Sequence, residues 1–173
     1  MYGGGRPLGT CEGAPIFVMT DTQIEVVCDE ALSCAQLPLA RRSLGPLLSA
    51  MCRKALALHK EGLLPEVPKG VVLALVTDRE MAGLNRSAMG VPGPTNILSF
   101  PDGEGTAELA LDVAQLLREA ILYGQTPVEH LVRLLAHGLA HVCGLDHGEH
   151  MWRCQEEIES AGKVFLSGLR AAG

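Results

Sequence analysis

The chain has 173 residues, 47% of them hydrophobic and 20% charged, which allows one domain with a real core and excludes both a two-domain enzyme and a disordered chain. A net charge of −6 rules out a general counterion-release attraction to polyanions, and 3% aromatic residues argue against a base-stacking platform, so any nucleic-acid contact must be local. Six cysteines without a Cys-x-x-Cys pair, no secretory signal and no apolar run longer than Val71 to Val76 point to reduced thiols, a cytoplasmic location and no membrane partner.

In chain order, residues 1–20 read as a flexible Gly- and Pro-containing leader, and residues 21–173 as a single domain. Ile24 to Cys28 is a β-branched run of strand length. Residues 39–59 then set Ala40, Leu44, Leu47, Leu48, Met51, Cys52, Ala55 and Leu58 at helical spacing, with Arg41, Arg42, Arg53 and Lys54 on the solvated outer face. Gly70 to Val76 is apolar throughout and predicts a buried strand, and Thr77 to Glu80 starts a helix that runs through Met81, Leu84 and Asn85. Short strands follow at Asn96 to Phe100 and Glu108 to Leu111, with the turn residues Asp102 and Gly103 between them. A helix from Asp112 to Tyr123 closes at Gly124. The next helix opens with Thr126-Pro127-Val128-Glu129, which combines a Thr cap, a Pro at the first helical position and a Glu three residues after the cap. It runs to Cys143 and ends at Gly144, and a last helix covers Glu149 to Ser167. Strands and helices interleaved in this way predict an α/β (α+β) domain: a small mixed sheet of about four strands packed by about five helices.

The chemistry is concentrated in residues 137–147, His-Gly-Leu-Ala-His-Val-Cys-Gly-Leu-Asp-His. His137 and His141 lie one helical turn apart on one face, and the glycine turn at Gly144 can bring His147 back to the same point. Three neutral imidazoles favour Zn²⁺ over the oxygen-seeking Mg²⁺ and Ca²⁺, with Ni²⁺, Co²⁺ and Cu²⁺ as possible substitutes. Three protein ligands leave the fourth position open, the mark of a catalytic site, where bound water acquires a pKa near 7. His130 is too far along the helix to share the ion, Cys143 faces away, and His150 needs a longer loop. Asp146 is either an acceptor that orients a ligand imidazole or an ordinary loop carboxylate. The spacing also fits the metzincin proteases, but Gly138 stands where those enzymes carry their general-base Glu, so a hydrolase acting on something other than a peptide is preferred.

Together with Gly148-Glu149 and the segment Pro94-Thr95-Asn96-Ile97-Leu98-Ser99-Phe100-Pro101, the histidine motif resembles the YbeY family of bacterial rRNA maturation factors. The resemblance extends over roughly residues 70–160, through Leu84-Asn85 and Glu108 to Asp112. It implies a single-domain zinc protein with a small mixed sheet and about five helices, its metal held by His137, His141 and His147. The implied activity is that of a single-strand-specific endoribonuclease in 16S rRNA 3′-end maturation and late 30S quality control. The implied partners are single-stranded 16S rRNA, the 30S subunit and ribosomal proteins. Where the family has an aromatic residue and an Arg, this chain has Ala88 and Met89, and Leu145 replaces a Tyr. Arg86, one turn before Met89, is expected to supply the missing cation and to join the three histidines in catalysis. Thr95, Asn96 and Ser99 are candidate substrate-binding residues, or else satisfy the neighbouring backbone of an edge strand. Two rival readings remain: a ribosome-assembly factor with a mainly structural zinc, and a zinc hydrolase of another substrate.

Overall fold

A strand that is apolar at every position needs cover on both faces. In the computed structural model, which describes residues 16–19, 22–32 and 34–171, Gly70–Val76 (β3) finds that cover at the centre of a five-stranded sheet. It pairs in parallel with Thr22–Cys28 (β2) and Thr106–Asp112 (β5), while Ile16–Met19 (β1) and Ile97–Pro101 (β4) add antiparallel edges, giving the order β1-β2-β3-β5-β4. The sheet is mixed, as expected, with one strand beyond the four read from the sequence. That strand, β1, falls in the segment read as a flexible leader, of which residues 1–15 and 20 lie outside the described residues.

Five α-helices are described: Arg41–Lys60 (α1), Asp78–Met89 (α2), Val113–Leu122 (α3), Pro127–Val142 (α4) and Glu149–Ala171 (α5). Side-chain alternation along the strands divides them between the two faces. Leu73 and Leu75 of β3, Leu109 and Leu111 of β5 and Ile97 of β4 enter the main core with α1, α4 and α5, whereas Ala74, Val76 and Ala110 meet Met81 of α2 on the other face. None of the described helices is long and apolar enough to cross a membrane. Cys52, Cys143 and Cys154 are buried free thiols, and Cys11 and the side chain of Cys34 lie outside the described residues.

α4 is the element that the core is built around. Leu131, Val132, Leu134, Leu135, Ala136, Leu139, Ala140 and Val142 are all buried, so almost its whole circumference is covered, as befits a helix with little polar face. Its start is fixed by the expected capping box: the Glu129 N–H donates to Thr126 Oγ1 at 3.2 Å, and the Thr126 N–H donates to Glu129 Oε2 at 2.9 Å. α5 crosses it at Gly162, where an added Cβ would lie 2.7 Å from Val132 Cγ1 and 3.2 Å from Met51 Sδ of α1. Gly162→Ala therefore gains up to about 1 kcal/mol of helix propensity but forces the three helices apart at a cost of about 1–3 kcal/mol. Thermal unfolding should show a lower midpoint for the variant, and an unchanged or higher one would contradict this packing.

Asp112, fully buried at the end of β5, caps α3 by accepting from the Gln115 N–H at 2.9 Å. Burial pushes its carboxyl up to about 6, and the neighbouring Asp78 charge, itself held by Arg118, adds to the rise. A carboxyl whose pKa is raised in the folded state destabilises that state progressively as pH climbs from about 3.8 to about 6, and fully above it. Asn retains the capping oxygen without the charge. Asp112→Asn is thus expected to be more stable than the wild type by about 1–3 kcal/mol at pH 7–8 and to lose that advantage below pH 4, as measured by urea unfolding at the two pH values.

Candidate metal centre

The last two turns of α4 and the loop behind it bring three histidines together. Starting from the capped N-terminus, His137 and His141 come up on the same side of the helix, and Gly144, at φ 85°, turns the chain so that His147 returns to them. One nitrogen from each ring lies within 4.8 Å of the other two. The ring centroids are 4.6 Å apart for His137–His141 and His141–His147, and 5.4 Å apart for His137–His147. His137 and His141 are half-buried and His147 is exposed, so the cluster opens to solvent on one side.

Two acceptors orient the rings. His141 Nδ1 donates to the Leu145 carbonyl at 3.0 Å, and His137 Nδ1 lies 3.1 Å from Gln155 Oε1. A carbonyl oxygen can only accept, so both protons sit on Nδ1 and the Nε2 lone pairs are left free to bind a cation. Burial, followed by the charges of His137 and His147, lowers the pKa of His141, which favours the neutral donor form. These features fit a metal ion: three convergent neutral nitrogens, two of them with fixed tautomers, and a side left open. Asp146, one of the two roles read for it in the sequence being that of an orienting acceptor, is exposed and acts on His141 only through its charge, and the backbone of Leu145 takes that position instead. Gln155 was not foreseen. It lies on α5, 18 positions after His137, and only the packing of α5 on α4 brings it there.

The neighbours excluded by spacing are excluded by structure too. His130 is buried with Nδ1 at 2.9 Å from Gln125 Oε1 and Nε2 at 3.0 Å from Glu119 Oε2. His150 Nε2 lies 2.7 Å from the Leu63 carbonyl, and Cys143 is buried, its thiol pushed up to about 12 by that burial. Gly138 has a structural reason to be glycine. A Cβ there would lie 2.9 Å from Ile97 Cδ1, 3.1 Å from Leu109 Cδ2 and 3.3 Å from Ser99 Oγ, so even an alanine would require these side chains to shift, and the backbone of α4 packs closely on the sheet.

The other candidates make no hydrogen bond to the three histidines among the described residues. Ser99 Oγ donates to the Gly138 carbonyl at 3.3 Å, holding β4 to α4. Asn96 Nδ2 donates to Glu119 Oε2 at 2.9 Å and so joins the His130 network at the other end of α4. Thr95 is half-buried in the segment leading to β4. Arg86 is exposed in the last turn of α2, on the face of the sheet opposite α4, and no hydrogen bond or ion pair among the described residues joins it to the histidines.

If Gln155 holds the His137 ring in its ligating orientation, Gln155→Leu should weaken metal affinity by about tenfold with the fold intact, because losing an acceptor behind a ligand histidine typically costs 10–100-fold. Competition with a chromogenic chelator reads this directly. An affinity equal to that of the wild type would remove Gln155 from the site.

The family model described as endoribonuclease YbeY matches residues 45–168. An endoribonuclease YbeY of Nitratidesulfovibrio vulgaris is 37% identical over 171 residues, covering 85% of this chain and 97% of that protein. Its counterpart in Rhodospirillum rubrum is 36% identical over 122 residues, covering 63% of this chain and 59% of that protein. The solution structure of TM1509 from Thermotoga maritima shares the fold, with a TM-score of 0.53 over 87% of this chain and 95% of that one at 19% identity. With the family model matched over residues 45–168 and a relative 37% identical over most of both chains, the chain belongs to the endoribonuclease YbeY family.

Proposed function

We propose that the chain is a zinc-dependent, single-strand-specific endoribonuclease acting in 16S rRNA 3′-end maturation and late 30S quality control in the cytoplasm. Its partners in this reading are ribosomal RNA, the 30S subunit and ribosomal proteins. The observation that carries the proposal is the convergence of three imidazole nitrogens within 4.8 Å of one another on a solvent-open side of the molecule. An all-nitrogen set of three suits zinc and leaves a position for chemistry. Zinc held there by the three histidines would supply Lewis acidity to a bound water or a phosphoryl oxygen.

The protein's own contribution is to hold and orient. His137, His141 and His147 would bind the ion, the Leu145 carbonyl and Gln155 fix two of the rings, and the exposed flank at His147 admits a flexible strand. Because Gly138 occupies the position beside His137, proton transfer from water cannot rely on a Glu there. A phosphodiester suits such a site, since its charged oxygens can meet a cation directly.

The test is to map 16S rRNA 3′ ends in cells depleted of the protein and complemented with wild type or His141→Ala. Mature ends should return with the wild type alone, and purified His141→Ala should lose at least about 100-fold in cleavage of single-stranded RNA. Restoration by both proteins would move the function to ribosome assembly with a structural metal. Restoration by neither would take the protein out of this pathway.

A further inference from the structure

Residues of α4 and α5 line a groove with a volume of about 630 Å³, within the range of roughly 300–1,000 Å³ common for small-ligand sites. Gln155 links it to the histidine cluster, lining the groove and touching His137. Arg133 lines it from α4, four residues before His137 and therefore on the same side of the helix, about 6 Å along its axis. The guanidinium is exposed and pairs with no carboxylate among the described residues. Trp152, the only tryptophan of the chain, lines it from α5, three residues before Gln155, and is 58% exposed although a Trp without a partner is normally well buried.

The charges of the groove are graded. Lys163 and Glu159 neutralise each other at 2.6 Å, which leaves Arg133 as a cation near the histidines and Glu156 as an acceptor. A track for a polyanion would be basic throughout, and this groove is not. It offers instead one aromatic face, one cation and one carboxylate acceptor beside a metal centre. Those match the parts of a single nucleotide: a base to stack, a phosphate to pair and an amino or ribose hydroxyl group to donate.

We infer that the α4–α5 groove is a one-nucleotide subsite that stacks a base of single-stranded RNA on Trp152 and holds the adjoining phosphate with Arg133, placing the next phosphodiester at the histidine cluster. This assignment rests on the endoribonuclease reading and deepens it by naming how the strand is held. It also answers the shortage of aromatics, because a subsite for one base needs one ring.

Trp152 is its own reporter. Titrating the wild-type protein with a single-stranded hexaribonucleotide should quench its emission saturably, while inorganic polyphosphate, which has charge but no bases, should not. By anisotropy of labelled RNA, Trp152→Leu should weaken binding about tenfold, in line with the loss of one base stack, and Arg133→Gln several-fold with the free-protein emission unchanged. Both positions are exposed, so the fold should tolerate the changes. Silent Trp152 emission, equal quenching by polyphosphate, or variants that bind like the wild type would overturn the subsite. Cleavage of the same RNA, run in parallel, separates the two failures. A wild type that cleaves while Trp152 stays silent leaves the nuclease reading standing without the subsite, and one that neither binds nor cleaves overturns both.

Discussion

The closeness of α4 to the sheet is the constraint on which the rest depends. At Gly138 the helix backbone lies so close to Ile97, Leu109 and Ser99 that an added Cβ would require them to shift, so its depth and rotation over β4 and β5 are set by direct contact. The histidines on either side, at 137 and 141, inherit that rotation, and with it the direction in which their rings point. A side chain at 138 would have to displace the ends of Ile97, Leu109 and Ser99 or move the helix that carries both. In a densely packed interior such a shift does not stay local, since α1, α3 and α5 all rest on the same helix.

The same helix carries a second histidine system, and the contrast explains which imidazoles can serve a ligand. His130, near the N-terminus of α4, has a protein partner on each ring nitrogen. Burial alone would raise the carboxyl of its partner Glu119, but hydrogen bonds from Asn96, Gln115 and His130 bring it below its usual range. That network is closed. His137 and His141 each give one nitrogen to a protein acceptor and direct the other toward a shared point. A histidine with two filled nitrogens braces the fold, and one with a single filled nitrogen is aimed.

Much of this was legible in the residues because it is written locally. The capping boxes at Thr77 and Thr126, the apolar run of β3, and the spacing of His137, His141 and His147 are short-range signals that packing had no reason to override. What stayed hidden is what packing creates. Gln155 reaches His137 from another helix, the Leu145 carbonyl has no sequence signature as an acceptor, and β1, though built from Ile16, Phe17 and Val18, follows a Gly- and Pro-containing run and was read with it as leader. Asn96 and Ser99 were visible as polar residues, yet only the fold shows one tied to Glu119 and the other to α4. Arg86 was proposed from its one-turn spacing to Met89, which stands where the family has an Arg, and the structure shows it exposed in the last turn of α2.

β4 is an edge strand, the kind of element whose alignment is weakly specified and most easily lost. Here Ile97 and Ser99 face α4 while Leu98 and Phe100 face α2, and Ser99 is bonded to the helix at the residue beside His137. Sliding β4 by one position would present Leu98 and Phe100 to the bare backbone at Gly138 and leave a hydroxyl on the apolar side. A misaligned chain therefore cannot seat α4 and cannot assemble the three imidazoles. The register of an edge strand and the seating of the helix that carries His137 and His141 thus rest on one contact between Ser99 and Gly138.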